Sequence, residues 1–263
     1  LGSLVHSVAW WARVNQHGMT PPSHVHGVVL AGDHPGIATA GATSRTPAHT
    51  LNLVRTLVDG SSALHRLAEQ SGAQLQVIDV SMAADSHDVP ERIGTTRVCQ
   101  GAGRIDVEDA ASHDATAAAF ALGRAQVDAL ADRRTDLILL GCIGGGTSAP
   151  ATALITLLTG TDLVDNVSRA DVSDDVMWMH KTAMIREAIL RTRPLTHDPL
   201  GMVAACGGAD LAAAVGMLIH AAVRGVPVLM EGVTTAAAAL IAERMLPGAH
   251  VWWAVADVGN EPA

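Results

Sequence analysis

The chain has no tyrosine and one phenylalanine, so aromatic residues make up only 2% of its 263 positions. Twenty-five glycines and many alanines stand in their place, and helices and sheet are expected to pack through small side chains. Charge is also sparse: 16% of residues are ionic and the formal net charge is -9. The seventeen Lys and Arg residues are scattered and form no basic stripe, which excludes broad nucleic-acid binding. Cys99, Cys142 and Cys206 lie far apart, an odd set without metal-ligand spacing. That pattern excludes a disulfide framework and points to a reducing, cytoplasmic setting. No HExxH arrangement occurs among thirteen histidines; His6, His17, His24, His26 and His250 show no partner pattern, and no metal is expected. The N-terminus has no cationic region or small-residue cleavage pattern of a secretory signal. Residues 137–161 carry no charge and pass a length test for a membrane span. Five glycines, Pro150 and several hydroxyl residues interrupt them, and the expectation is a buried strand, loop and helix.

Apolar residues, 49% of the chain, are enough for a large core. The most informative run is LILLGCIGGGTSAPATALITLLTG, Leu137 to Gly160. An apolar stretch meets a run of glycines and a Thr-Ser pair, and a helix is expected to begin near Ser148. Glycines let backbone amides approach an anion, and the positive end of that helix points at the same place. The ending lacks the Gly-Lys-Ser/Thr of a nucleoside-triphosphatase loop, so an ATPase is not expected.

Strands are expected at Val25–Ala31, Leu75–Val80, Leu137–Leu140, Pro227–Met230 and His250–Val255. Helical patterns fall at residues 50–67 with a break near Gly60, then at 109–131, 149–159, 175–190, 209–223 and 234–245. Met202–Cys206, followed by Gly207-Gly208, reads as a second strand–glycine–helix unit. Alternating strands and helices predict an α/β fold, an open, mostly parallel Rossmann-like sheet flanked by helices with a small helical lobe. Residues 1–24 would form the helical part of that lobe, and 25–263 the α/β core. Asp33, Cys142 and Glu231 would then converge on the crevice at the strand ends.

Each candidate has a bland alternative. Asp33 and His34 either orient a ligand and exchange a proton, or brace a loop. Lys181 either reaches a phosphate as a point charge or runs along the surface to water. Glu231 either orients a hydroxyl or caps the next helix, beside Thr234 and Thr235. Trp10-Trp11 and Trp252-Trp253 suit packing or dimer contacts better than ligand stacking.

Several long motifs in fixed order then carry a resemblance over essentially the whole chain. They are LAGDH (30–34), GRIDVEDA (103–110), LGCIGGGTSAPATALITLLTGTD (140–162), MHKTAMIREAI (179–189), GGADLAAAVGMLIHAAVRGVPVLMEGV (207–233) and WW…EPA (252–263). Through them the chain resembles the nicotinate-nucleotide:dimethylbenzimidazole phosphoribosyltransferases of cobalamin lower-ligand assembly, above all their actinobacterial branch. The resemblance implies transfer of phosphoribose from nicotinate mononucleotide to 5,6-dimethylbenzimidazole or a related azole, with no cofactor, in a homodimer. Phosphate binding would fall to Gly144, Gly145, Gly146, Thr147 and Lys181, helped by Gly207 and Gly208. Asp33, His34, Thr43, Arg45, Asn52, Cys142 and Glu231 would line the base pocket or cleft.

There are departures from the family pattern. Pro35 follows His34 where the family has Gly, and Arg45, Ala48 and Asn52 replace Tyr, Glu and Gln of the pocket motif. Cys142 replaces an acidic residue, Glu231 an Asp, Ala256-Asp257 a Gly-His pair and Gly259 a Ser. Family members continue past this point into a Gly-Glu-Gly-Thr-Gly run whose glutamate is the proposed general base, and Glu261 is no evident replacement. The expectation is therefore a C-terminally truncated transferase core. The alternative is a degenerate homologue that binds a nucleotide, an azole or a partner subunit without turnover.

Overall fold

The computed structural model describes residues 4–15, 20–256 and 262–263. Helix α1 (Leu4–Val14) precedes β1 (Val25–Gly32), and α2 (Pro35–Thr39), α3 (Pro47–Val58) and α4 (Ala63–Ser71) lead to β2 (Gln74–Ser81). After α5 (Glu91–Gly94) and α6 (His113–Asp132) comes β3 (Leu137–Ile143). A long crossover holds α7 (Ser148–Thr159), α8 (Leu163–Asn166), α9 (Asp175–Thr192), α10 (Pro199–Met202) and α11 (Gly208–Arg224). Then follow β4 (Val228–Met230), α12 (Val233–Met245) and β5 (Trp253–Val255).

The five strands form one sheet in the order β2-β1-β3-β4-β5, and every neighbouring pair is parallel. Apolar runs such as VHGVVLA give strands buried on both faces, as parallel sheets require. Val28, Leu30, Ile138, Leu140 and Val228 join the main core with residues of α6, α11 and α12. The strand order reverses between β1 and β3, so their outgoing chains part there and open a crevice above the carboxyl ends.

Small side chains set the helix packing. At the crossing of α6 and α11, a Cβ on Gly123 would lie 2.0 Å from the Ala213 carbonyl oxygen, and one on Gly216 would lie 2.2 Å from that of Phe120. Backbone meets backbone, and no flexible side chain can yield. Gly123→Ala or Gly216→Ala is expected to destabilise the chain by about 3 kcal/mol, the upper range for overpacking. Urea unfolding checks this; a change within experimental error would contradict the crossing.

The segment Met202–Cys206 is helical, which corrects the strand expected there. Asp198 caps α10 by accepting from the Gly201 amide at 2.9 Å, Pro199 occupies the first turn, and a π-turn at Val203–Gly207 joins α10 to α11. Residues 201–218 are all buried, so the helix has no polar face and its period is invisible in the sequence. Among the described residues, Pro199–Arg224 is the one helical stretch long and apolar enough to cross a membrane; 94% of its apolar window is buried in the core. The last strand also starts later than expected, because Ala249–Trp252 forms a 3-10 turn. Trp10 and Val14 of α1 pack with Leu137, and the Trp10 indole donates to the Val251 carbonyl at 3.0 Å.

Candidate active site

The β1/β3 crevice is built around one buried carboxylate. Asp33 Oδ1 accepts from Thr50 Oγ1 at 2.6 Å and from the Gly145 amide at 2.9 Å, while Oδ2 accepts from the Ala83 amide at 2.9 Å. The His34 amide returns a bond to the Gly145 carbonyl at 2.8 Å. The loop after β3 is therefore pinned to the end of β1 from both sides. Glycine is obligatory in it: a Cβ on Gly144 would fall 1.6 Å from the Gly32 carbonyl oxygen, and Gly146 has φ +85°. Thr147 follows, and α7 starts at Ser148 with its amides toward the loop.

A second polar knot lies beside the first. His34 Nε2 is 3.3 Å from Asp210 Oδ1, and both side chains are buried. Gly208 sits here, with φ +83° and a Cβ on it meeting His34 Cε1 at 2.9 Å, whereas a Cβ on Gly207 would face Leu211, Val203 and Leu154. Among the described residues, His34 Nδ1, Asp210 Oδ2 and Ser81 Oγ have no hydrogen-bond partner. Burial and the Asp210 charge hold the Cys142 thiol well above its ordinary pKa. A neutral thiol thus stands at the position of the family's acidic side chain. Burial likewise raises Cys99, and pushes Cys206 up to about 12. Cys206, fully buried as well, is not expected to label with maleimide at mildly alkaline pH until the protein unfolds. Rapid labelling of Cys206 in the native protein would contradict its placement.

Lys181 is the only lysine of the chain and is fully buried. Its Nζ donates to Asp171 Oδ1 at 2.5 Å and to the Ser168 carbonyl at 3.2 Å. Asp171 Oδ2 accepts from Thr43 Oγ1 and from Ser148 Oγ, each at 3.0 Å. Lys181 therefore connects to the start of α7 through Asp171, and Thr43 belongs to the same network.

The other pocket candidates lie apart from these contacts. Arg45 and Asn52 are exposed; the Arg45 carbonyl covers Gly145, where a Cβ would approach it to 2.8 Å. Glu231 is exposed and rims an apolar cavity of about 440 Å³ with Leu64, Leu67, Leu139 and Leu229, away from the glycine loop. Among the described residues, Asp85, His87 and Asp88 bring potential metal ligands within 4.8 Å of one another, all of them exposed. His17, Asp257, Gly259 and Glu261 lie outside the described residues. The sequence did not single out Asp171 or Asp210. The signal for Asp210 was its place in the Gly-Gly-Ala-Asp motif, whereas Asp171 sits in a polar segment that reads as an ordinary surface loop.

A parallel sheet that reverses order beside a pinned glycine loop and a helix start defines a doubly wound α/β protein with a crevice at its switch point. The chain belongs to the nicotinate-nucleotide–dimethylbenzimidazole phosphoribosyltransferase family, and a family model described as Phosphoribosyltransferase matches residues 1–263. It is 40% identical over 265 residues to the nicotinate-nucleotide–dimethylbenzimidazole phosphoribosyltransferase of Mycobacterium tuberculosis, covering 100% of this chain and 72% of that protein. The corresponding Streptomyces avermitilis protein is 40% identical over 237 residues, covering 90% of this chain and 63% of the relative. The crystal structure of CobT from Thermus thermophilus shares the fold, with a TM-score of 0.89 at 24% identity over 99% of this chain and 78% of that one.

Proposed function

We propose that the chain transfers the phosphoribosyl group of nicotinate mononucleotide to 5,6-dimethylbenzimidazole or a related azole. The products are α-ribazole 5'-phosphate and nicotinate, in assembly of the cobalamin nucleotide loop. An azole nitrogen attacks the anomeric carbon from the face opposite nicotinate. The carbon–nitrogen bond to nicotinate breaks, nicotinate leaves with the electron pair, and the azole's other ring nitrogen releases its proton to solvent. Such a reaction needs the donor fixed by its phosphate, so that the two rings meet in a placed encounter. The pinned loop Gly144–Thr147 at the start of α7 is the observation that carries this assignment, with Lys181 supplying positive charge behind it. Arg45, Asn52 and Cys142 would border the azole, Thr43 stands with Asp171 and Lys181 on the phosphate side, and a homodimer would complete the cleft. With Arg45 exposed and Cys142 neutral, the acceptor side is the part of the family site most changed here.

The test is turnover of nicotinate mononucleotide with dimethylbenzimidazole, following nicotinate release and the α-ribosyl product together. Equal amounts of the two support transfer. Nicotinate release without the ribosyl product would identify a hydrolase, and saturable binding without either product would favour the degenerate homologue.

A further inference from the structure

The carboxylate of Asp171 has the surroundings of a bound phosphate. Its oxygens take hydrogen bonds from Lys181 Nζ at 2.5 Å, Thr43 Oγ1 at 3.0 Å and Ser148 Oγ at 3.0 Å. Ser148 is the first residue of the twelve-residue helix α7, directly after the glycine loop. One ammonium and two hydroxyls, one of them on the first residue of α7, form a donor set that would otherwise suit a phosphate monoester. A buried ion pair is weak evidence for stability, since apolar residues of similar volume serve a core at least as well. The Asp171 main chain is held as well: its carbonyl accepts from the Ser44 amide at 2.8 Å and from Ser44 Oγ at 3.0 Å. The same residue thus joins the loop at Thr43–Arg45 to the start of α7.

We propose that Asp171 is an internal stand-in for the donor phosphate and sets how tightly this chain holds it. The proposal rests on the assignment of Lys181 to the phosphate. Two anions cannot share Lys181 and the two hydroxyls at contact distance, so the Asp171 side chain must swing away when a phosphate arrives. Its neighbours Arg169, Ala170, Ser173 and Asp174 are exposed, so the segment borders open solvent. Apparent affinity is then reduced by the fraction of molecules in which Asp171 has left. Asp171 is in this sense an affinity-determining residue for the donor.

Because Lys181 is the only lysine, protein labelled with ¹⁵N,¹³C-lysine gives a single side-chain resonance that reports on this contact. In the wild-type chain that resonance is expected to move with nicotinate mononucleotide and to stay in place with nicotinate riboside. Asp171→Asn keeps the shape and removes the competing charge. It is expected to bind nicotinate mononucleotide and inorganic phosphate at least about tenfold more tightly, and to gain more thermal stability from phosphate than the wild type does. Asp171→Ser, whose hydroxyl retains a partner for Thr43 and Ser148, is expected to change both in the same direction should the Asn variant fold poorly. A resonance that responds to nucleotide, with variants that bind phosphate no better than wild type, would leave Lys181 on the phosphate and reduce Asp171 to a structural partner. A resonance indifferent to nucleotide in every variant would overturn the phosphate assignment of Lys181, and the Asp171 proposal with it.

Discussion

Asp33→Asn is expected to lower stability by about 3 kcal/mol and nicotinate mononucleotide affinity by roughly a hundredfold, because it breaks a buried charge-assisted network. The wild-type carboxylate accepts three hydrogen bonds, from Thr50 Oγ1 and from the amides of Gly145 and Ala83. An amide side chain must turn its own N–H groups toward at least one of those donors. If they face Ala83, the turn after β2 loses its anchor. If they face Gly145 and Thr50, the glycine loop loses its own. In the first case the Ala83 amide loses its acceptor; in the second the Gly145 amide keeps only Thr50 Oγ1, which accepts from it at 2.9 Å, and the loop is held less firmly to the sheet end that aims it. Urea unfolding and calorimetric titration with the nucleotide measure the two effects. An Asn variant with wild-type stability and affinity would show that the loop holds its shape without Asp33.

Lys181→Met is expected to destabilise the chain by about 3–5 kcal/mol, because Asp171 is then buried without its cation. The double change Lys181→Met with Asp171→Leu replaces the pair by apolar groups and is expected to recover most of that stability. It is not expected to recover nucleotide binding, since the positive charge behind the crevice is gone. Both variants should lose far more affinity for nicotinate mononucleotide than for the azole. Equal losses for the two ligands would place Lys181 in the scaffold alone.

Much of this architecture was legible in the sequence because burial and period coincide with the elements. Apolar runs at Val25–Ala31 and Leu75–Val80 became β1 and β2 with an added residue or two at the ends, and the helix expected near Ser148 begins there. Asp33 and the glycine loop were legible because chain reversals at strand ends demand particular residues. Met202–Cys206 was misread since a wholly buried helix and a buried strand share one composition, although Asp198-Pro199 was a usable start signal. Asp171 could not be found in this way. It lies among Ser, Arg and Asp residues typical of a solvated loop, and its partners Thr43, Ser148 and Lys181 are brought to it only by tertiary folding. Glu231 carried the opposite error: the end of its strand suggested the crevice, yet its side chain is exposed at another cavity.

This crevice is expected to hold its donor by the phosphate. Calorimetric titration of the unmodified chain with nicotinate mononucleotide, beside nicotinate riboside, tests it most directly. Saturable binding of the nucleotide is expected, with a riboside affinity lower by roughly a hundredfold, the value of one or two charge-assisted contacts. Equal affinity for the two would contradict it, and would move the donor away from the glycine loop and Lys181.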